Sequence, residues 1–327
     1  MGMRNGVHLF ASLVIAVVLA GGVVLVGWQR PAVAVFPGTN GAIAFTKVVS
    51  HDEGGQDAHI VRMRPDGSQK RNLSQGPSPY HVEPNWSADG KKIVFIGEPN
   101  DCCEKTDVFW MNADGSGVTN LTNSAADESD AAFFPNHHRI VFVRDGDLYE
   151  MTVDDNGSPL QEAQLTTSTA LERAPAVSPY GARIAFERGD LGSQELYVMR
   201  AEPESAANTP VRITRNDAYD ADPDWSPSGT RLAFASDRDG LTRIWKMKPK
   251  PSGPTNRPVM LTAAENAWDT EPTWSPDGKK IAFERDNDEH NRNIYKKSSD
   301  GTGPTINLSM CTWEYATCGA PSWRPSP

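Results

Sequence analysis

Short apolar runs closed by phenylalanine punctuate the chain, ending at Phe45, Phe95, Phe142, Phe186, Phe234 and Phe283. Their spacings are 50, 47, 44, 48 and 49 residues. Runs such as Ile93-Val94-Phe95 and Ile281-Ala282-Phe283 are apolar on consecutive positions. That predicts a strand covered on both faces, because a sheet wetted on one face alternates apolar with polar residues. Each run, strand B, is flanked by three further predicted strands. Strand A precedes it and carries an aromatic or its replacement: Trp86, Phe134, Val177, Trp225, Trp274 and Trp323. Strand C follows and usually ends in methionine, as in Leu196-Tyr197-Val198-Met199. Strand D ends in Leu-Thr or a near equivalent, as at Leu121-Thr122 and Leu261-Thr262. Asp-Gly pairs fall between A and B at Asp89-Gly90 and Asp277-Gly278, and between C and D at Asp66-Gly67, Asp114-Gly115 and Asp300-Gly301. Glycine takes positive φ there without a Cβ clash, which favours a hairpin. A four-strand unit at this period predicts propeller blades, not helical repeats of about 34 residues.

The first copy lacks a strand A, and the residues from Ala320 through Trp323 to Pro325 look like a strand A with no blade after it. The two fragments complete each other. The expected fold is all-β: a six-bladed β-propeller closed by the C-terminal strand and preceded by an N-terminal hydrophobic helix. Such closure hides the sheet edges that a linear stack would expose. The unit Pro-x-Trp-Ser-Pro-Asp-Gly-Lys-x-Ile-Ala-Phe at residues 272–283, with the later Asp-Gly and Leu-Thr signals, resembles the repeat of TolB-type β-propellers. The resemblance runs from about Pro37 to Pro327 and is strongest in copies two, five and six. In copy three, Ala132 replaces the proline, Phe134 the tryptophan and Asn136-His137-His138 the Asp-Gly turn. The resemblance implies the fold. It leaves function open, since such propellers serve as binding platforms, as regulatory domains of peptidases and as scaffolds for lyases.

A net charge of −10 argues against a face built for nucleic acid, while leaving local patches open. Residues 1–34 stand apart from the propeller of residues 35–327. Arg4 precedes an uncharged run from Val7 to Trp28, about long enough to cross a bilayer as a helix. Ala32-Val33-Ala34 supplies a small-x-small cleavage site. The segment reads either as a cleaved signal peptide, with a new N-terminus at Val35, or as an uncleaved membrane anchor. Either reading places the propeller outside the cytoplasm, where disulfides form. The four cysteines, Cys102, Cys103, Cys311 and Cys318, allow three pairings, and the nearest sensible bridge is Cys311–Cys318, across the loop into the closing strand. No Cys-x-x-Cys spacing suggests zinc.

Carboxylates gather at the start of the strands A: Glu83, Asp130, Glu172, Asp220, Asp222, Asp269 and Glu271. They are expected at the mouth of the central channel, where converging like charges repel unless a cation or a basic group joins them. Glu83, Asp220, Asp222, Asp269 and Glu271, with His81 and Trp268, form the expected ligand-facing set. The plainer alternative is that these acids accept hydrogen bonds from backbone N–H groups of nearby turns. There is no Gly-x-Ser-x-Gly elbow and no phosphate-cradling glycine loop. No resident cofactor is expected, a divalent cation at the mouth being the one candidate. The leading reading is an exported, membrane-tethered, non-catalytic propeller that binds a protein or peptide partner of the cell envelope. The rival is a metal-assisted lyase or hydrolase acting on a sugar or lactone at the acidic mouth, with His81 the obvious imidazole there.

Overall fold

The computed structural model describes residues 39–326 apart from the stretches 52–55, 75–79, 100–104, 203–208, 252, 254–255, 288–290 and 312–315. The N-terminal segment, Cys102 and Cys103 lie outside the described residues.

The described residues form six antiparallel four-stranded sheets. Blade two shows the plan: strand A at His81–Trp86, B at Lys92–Gly97, C at Asp107–Asn112 and D at Thr119–Asn120. Blade one is assembled from both ends of the propeller. Its strand A is Ala316–Ser326, laid against strand B at Thr39–Ser50, with Ile43 opposite Trp323 and Thr39 opposite Ser326. This pairing closes the propeller on itself, and Ala34–Pro327 forms one compact unit.

The core lies between blades. Trp86, Ile93, Phe95 and Met111 of blade two pack on Ala44, Ile60 and Leu73 of blade one, and the same arrangement recurs around the ring. All six phenylalanines that close the strands B are completely buried. Each contributes about 2–3 kcal/mol by leaving water. Cover on both faces is why these strands read as continuous apolar runs. Strand D is two residues long in five blades, which leaves short outer edges, and six residues, Pro159–Gln164, in blade three.

Blade three corrects the expected register. Phe133 pairs with Ile140 as Trp86 pairs with Ile93, so Phe133, not Phe134, holds the tryptophan column. The proline position accordingly falls on Ala131, not Ala132. Phe134 takes the place of Ser87, and its ring packs among Ile184 and Phe186 of blade four. The turn from A to B survives without glycine: His137 adopts φ 48° where Gly90 has 67°. Asn136 Oδ1 accepts the Arg139 N–H as Asp89 Oδ1 accepts that of Lys91.

Candidate binding site at the channel axis

Two columns of acids run through the strands A, and the structure separates them. The first residue of the column is His81, Glu128, Glu172, Asp220, Asp269 or Cys318 in successive blades. Four of these are carboxylates with no side-chain exposure, each paired with an arginine at or just past the end of strand B: Arg144, Arg188, Arg238 and Arg285. Arg285 holds Asp269 in a fork, at 2.6 and 2.8 Å. The guanidinium groups also lie over aromatic rings of strands B and C, as Arg238 does over Phe234 and Trp245 at 5.0 and 5.2 Å. Asp220 and Asp269 therefore have arginine partners inside their own blades. In blade two His81 takes the acid's place and packs edge-on against Phe95, 4.9 Å between ring centres. In blade one the place belongs to Cys318, in a disulfide with Cys311. Trp268, the residue before Asp269, is 40 % exposed on the rim.

Two residues further along each strand A comes a second column: Glu83, Asp130, Ala174, Asp222, Glu271 and Ala320. Every one is left-handed, with φ between 47° and 55°. Side chains other than glycine rarely adopt this conformation, and clusters of it mark sites that the surrounding structure over-determines. Here each left-handed residue sits in a register shift of strand A, for example between Ala221 and Asp224. The kink turns its N–H sideways, to a side chain of the preceding blade.

The result is a cyclic relay. The Asp130 N–H donates to Glu83 Oε2 at 2.9 Å, and the Ala174 N–H donates to Asp130. The Glu271 N–H donates to Asp222 Oδ2 at 3.1 Å and the Ala320 N–H to Glu271 Oε2 at 2.5 Å. Ala174 and Ala320 have no carboxylate to pass on. In those two blades the residue after the closing phenylalanine substitutes: Glu187 Oε2 accepts from the Asp222 N–H at 3.3 Å, and Thr46 Oγ1 from the Glu83 N–H at 3.0 Å. Thr46 and Glu187 were not among the sequence candidates. The signal was a polar residue after phenylalanine in the copies whose ring position is alanine.

Glu284, at the equivalent place in blade six, is a surplus acid that hydrogen-bonds Glu271, with Arg292 3.8 Å away. Burial, then neighbouring carboxylates, pushes Glu83, Asp222 and Glu187 upward, and burial followed by Glu284 does the same to Glu271. Asp224, which accepts the Trp274 N–H at 2.7 Å, is pushed up to about 7 by burial. From the ring a cavity of about 230 Å³ runs along the strands A, walled by prolines, by Trp86, Trp225, Trp274 and Trp323, and by Asp224. Of the expected ligand-facing residues, Glu83, Asp222 and Glu271 line this cavity. Among the described residues no group of three or more His, Cys, Asp or Glu side chains is placed to hold a metal ion.

A family model of the TolB beta propeller domain matches residues 24–202 and 158–260. The chain belongs to the TolB β-propeller family. Among solved structures, TolB from Acinetobacter baumannii superposes with a TM-score of 0.69 at 17% identity, over 89% of this chain and 68% of that one. The putative TolB from Agrobacterium tumefaciens gives 0.61 at 17% identity, over 83% of this chain and 89% of that one. The fold of this TolB-family propeller also matches a puromycin-hydrolyzing peptidase of Mycobacterium tuberculosis, TM-score 0.55 at 13% identity, over 84% of this chain and 47% of that one. No functionally curated protein matches the sequence.

Proposed function

We propose that this TolB-family propeller is a non-catalytic binding module, exported and tethered to the membrane by its N-terminal segment, that receives a basic segment of a protein or peptide partner in the cell envelope. The observation that carries the reading is the ring itself. Four carboxylates are held around one axis in strained backbone, at the end of a cavity of about 230 Å³. In each, one oxygen is committed to the N–H of the next blade. A lysine or arginine side chain entering the cavity would meet the remaining oxygens of Glu83 and Asp222, since Asp130 also accepts the Ser129 hydroxyl and Glu271 is bonded to Glu284, and would relieve the repulsion among the ring acids. The prolines and tryptophans of the wall supply apolar contact for the chain that carries the cation.

The test is calorimetric titration of the full chain, in detergent, with a trilysine peptide. The triple variant Glu83→Gln, Asp222→Asn, Glu271→Gln keeps a carbonyl oxygen at each relay position and removes the charge. Binding is expected to fall at least about tenfold in the variant, while the variant still melts in one cooperative transition. Equal binding by variant and parent would remove the ring from the reading. Metal analysis of the purified protein weighs the rival, because a metal-assisted lyase or hydrolase needs a tightly held divalent ion.

A further inference from the structure

The acidic total conceals a cationic sector on one face of the propeller. Strand A ends and strand B begins on one face, and the C–D turns share it. On this face three adjacent blades, five, six and one, are cationic. The C–D connection of blade five, residues 246–257, carries four lysines and arginines and no acid. In blade six, residues 277–280 and 296–303 carry four lysines against Asp277 and Asp300. In blade one, residues 62–71 carry four cations against Asp66. On the opposite face blades five and six expose Asp217 and Glu265, while Asp220 and Asp269 are buried against Arg238 and Arg285 and Asp222 and Glu271 turn to the axis.

The surroundings of these cations distinguish the sector from a solvated charge run. Lys248, Lys250, Lys279, Lys280, Arg64 and Lys70 are all exposed. Lys280, Lys296 and Lys297 wall a hollow of about 180 Å³ together with Thr302, Gly303 and Ile306. The cations also crowd one another: burial and then Arg231 hold the Lys246 amine below its ordinary range. Beside them, at the starts of the strands D, stand exposed apolar side chains: Val259 at 50 %, Met260 at 39 % and Ile306 at 46 %. The chain enters the propeller here as well, for Asn40 Oδ1 accepts the Asp277 N–H at 3.2 Å, next to Lys279.

We propose that this cationic sector of blades five, six and one is a docking surface for an anionic phospholipid bilayer. Lysines around a hollow suit phosphate headgroups, and apolar side chains among them suit the interfacial region just below. A nucleic acid would leave Val259, Met260 and Ile306 in water, whereas a bilayer interface takes them in. Docked this way, the propeller turns the D–A loops and Trp268 away from the lipid. The surface belongs to the propeller alone and stands whether or not the N-terminal segment is cleaved.

The propeller closes within residues 39–326, so residues 35–327 serve for the test. The protein is sedimented with vesicles of phosphatidylcholine, with and without phosphatidylglycerol. Binding is expected only with phosphatidylglycerol and should weaken as salt is raised. The variant Lys248→Gln, Lys250→Gln, Lys279→Gln, Lys280→Gln changes exposed side chains that make no side-chain hydrogen bond among the described residues, so its melting should match the parent's. Its vesicle partition should drop at least about tenfold. The control Lys105→Gln, Arg215→Gln, on the opposite face, should bind as the parent does. Equal binding to both vesicle types, or an unimpaired quadruple variant, overturns the proposal. Binding to duplex DNA as tight as to the vesicles at the same salt overturns the assignment to lipid. Tethering by the N-terminal segment is decided separately, by mass spectrometry for a new N-terminus at Val35.

Discussion

A carboxylate with no exposure is tolerable only while its counter-charge stays. Asp269 is such a group, forked by Arg285. Replacing Arg285 by methionine is expected to cost about 3–5 kcal/mol in denaturant melts, because it strands a buried charge. Adding Asp269→Asn should recover much of that loss. The same pair of columns shows where residue-level reading stops. Asp220 and Asp222 stand two apart, and strand alternation would put them on one face. The left-handed φ of Asp222, 50°, and the register shift after Ala221 break that alternation. One acid turns to Arg238 and the other to the axis. Nothing in the residue types announces the kink, since glycine, its usual marker, is absent from all six ring positions.

The blade as an element was legible because its signals are local: an apolar run, a turn pair and an aromatic at fixed offsets. Blade three was misread by one residue because Phe133-Phe134 offers two aromatics for one column. Packing decides between them: Phe133 joins the core shared with blade two and Phe134 the core shared with blade four. The closing strand was also legible, from a strand A without a blade meeting a blade without a strand A. It makes blade one continuous, and the disulfide from Cys318 to Cys311 fixes its start. Deleting residues 320–327 removes Trp323, the ring N–H of Ala320 and the acceptor Ser322 Oγ for the Trp86 N–H together. A truncated protein is expected to lose most of its cooperative thermal transition, read by circular dichroism. A melt matching the full chain would mean that the ring holds without its last strand.

At the scale of the molecule the ring acids set a pH dependence. Burial raises Glu83, Asp130, Asp222, Glu271, Glu187 and Glu284 above the usual carboxylate range, and Asp224 to about 7. Between that usual range and the raised values the native protein binds more protons than the unfolded chain. Their contribution to stability is therefore fully present below the ordinary carboxylate range and is lost as pH rises through the folded values. Melting temperature is expected to be higher near pH 6 than near pH 8.5, a span of about 2.5 units across the Asp224 value. The amide triple variant should flatten the slope. The cationic sector was not legible as such, because its lysines and arginines come from turns far apart in the sequence and gather only when the blades are stacked side by side.

Thr39 lies across from Ser326, and this has a consequence for how the circle relates to the thread that draws it. The ring has no privileged first blade. A short linker between residues 326 and 39, with a new opening cut in some other D–A loop, would leave every ladder and every relay bond with the same neighbours. Order of synthesis and order in space are thus independent in this molecule, and circular permutants share one geometry.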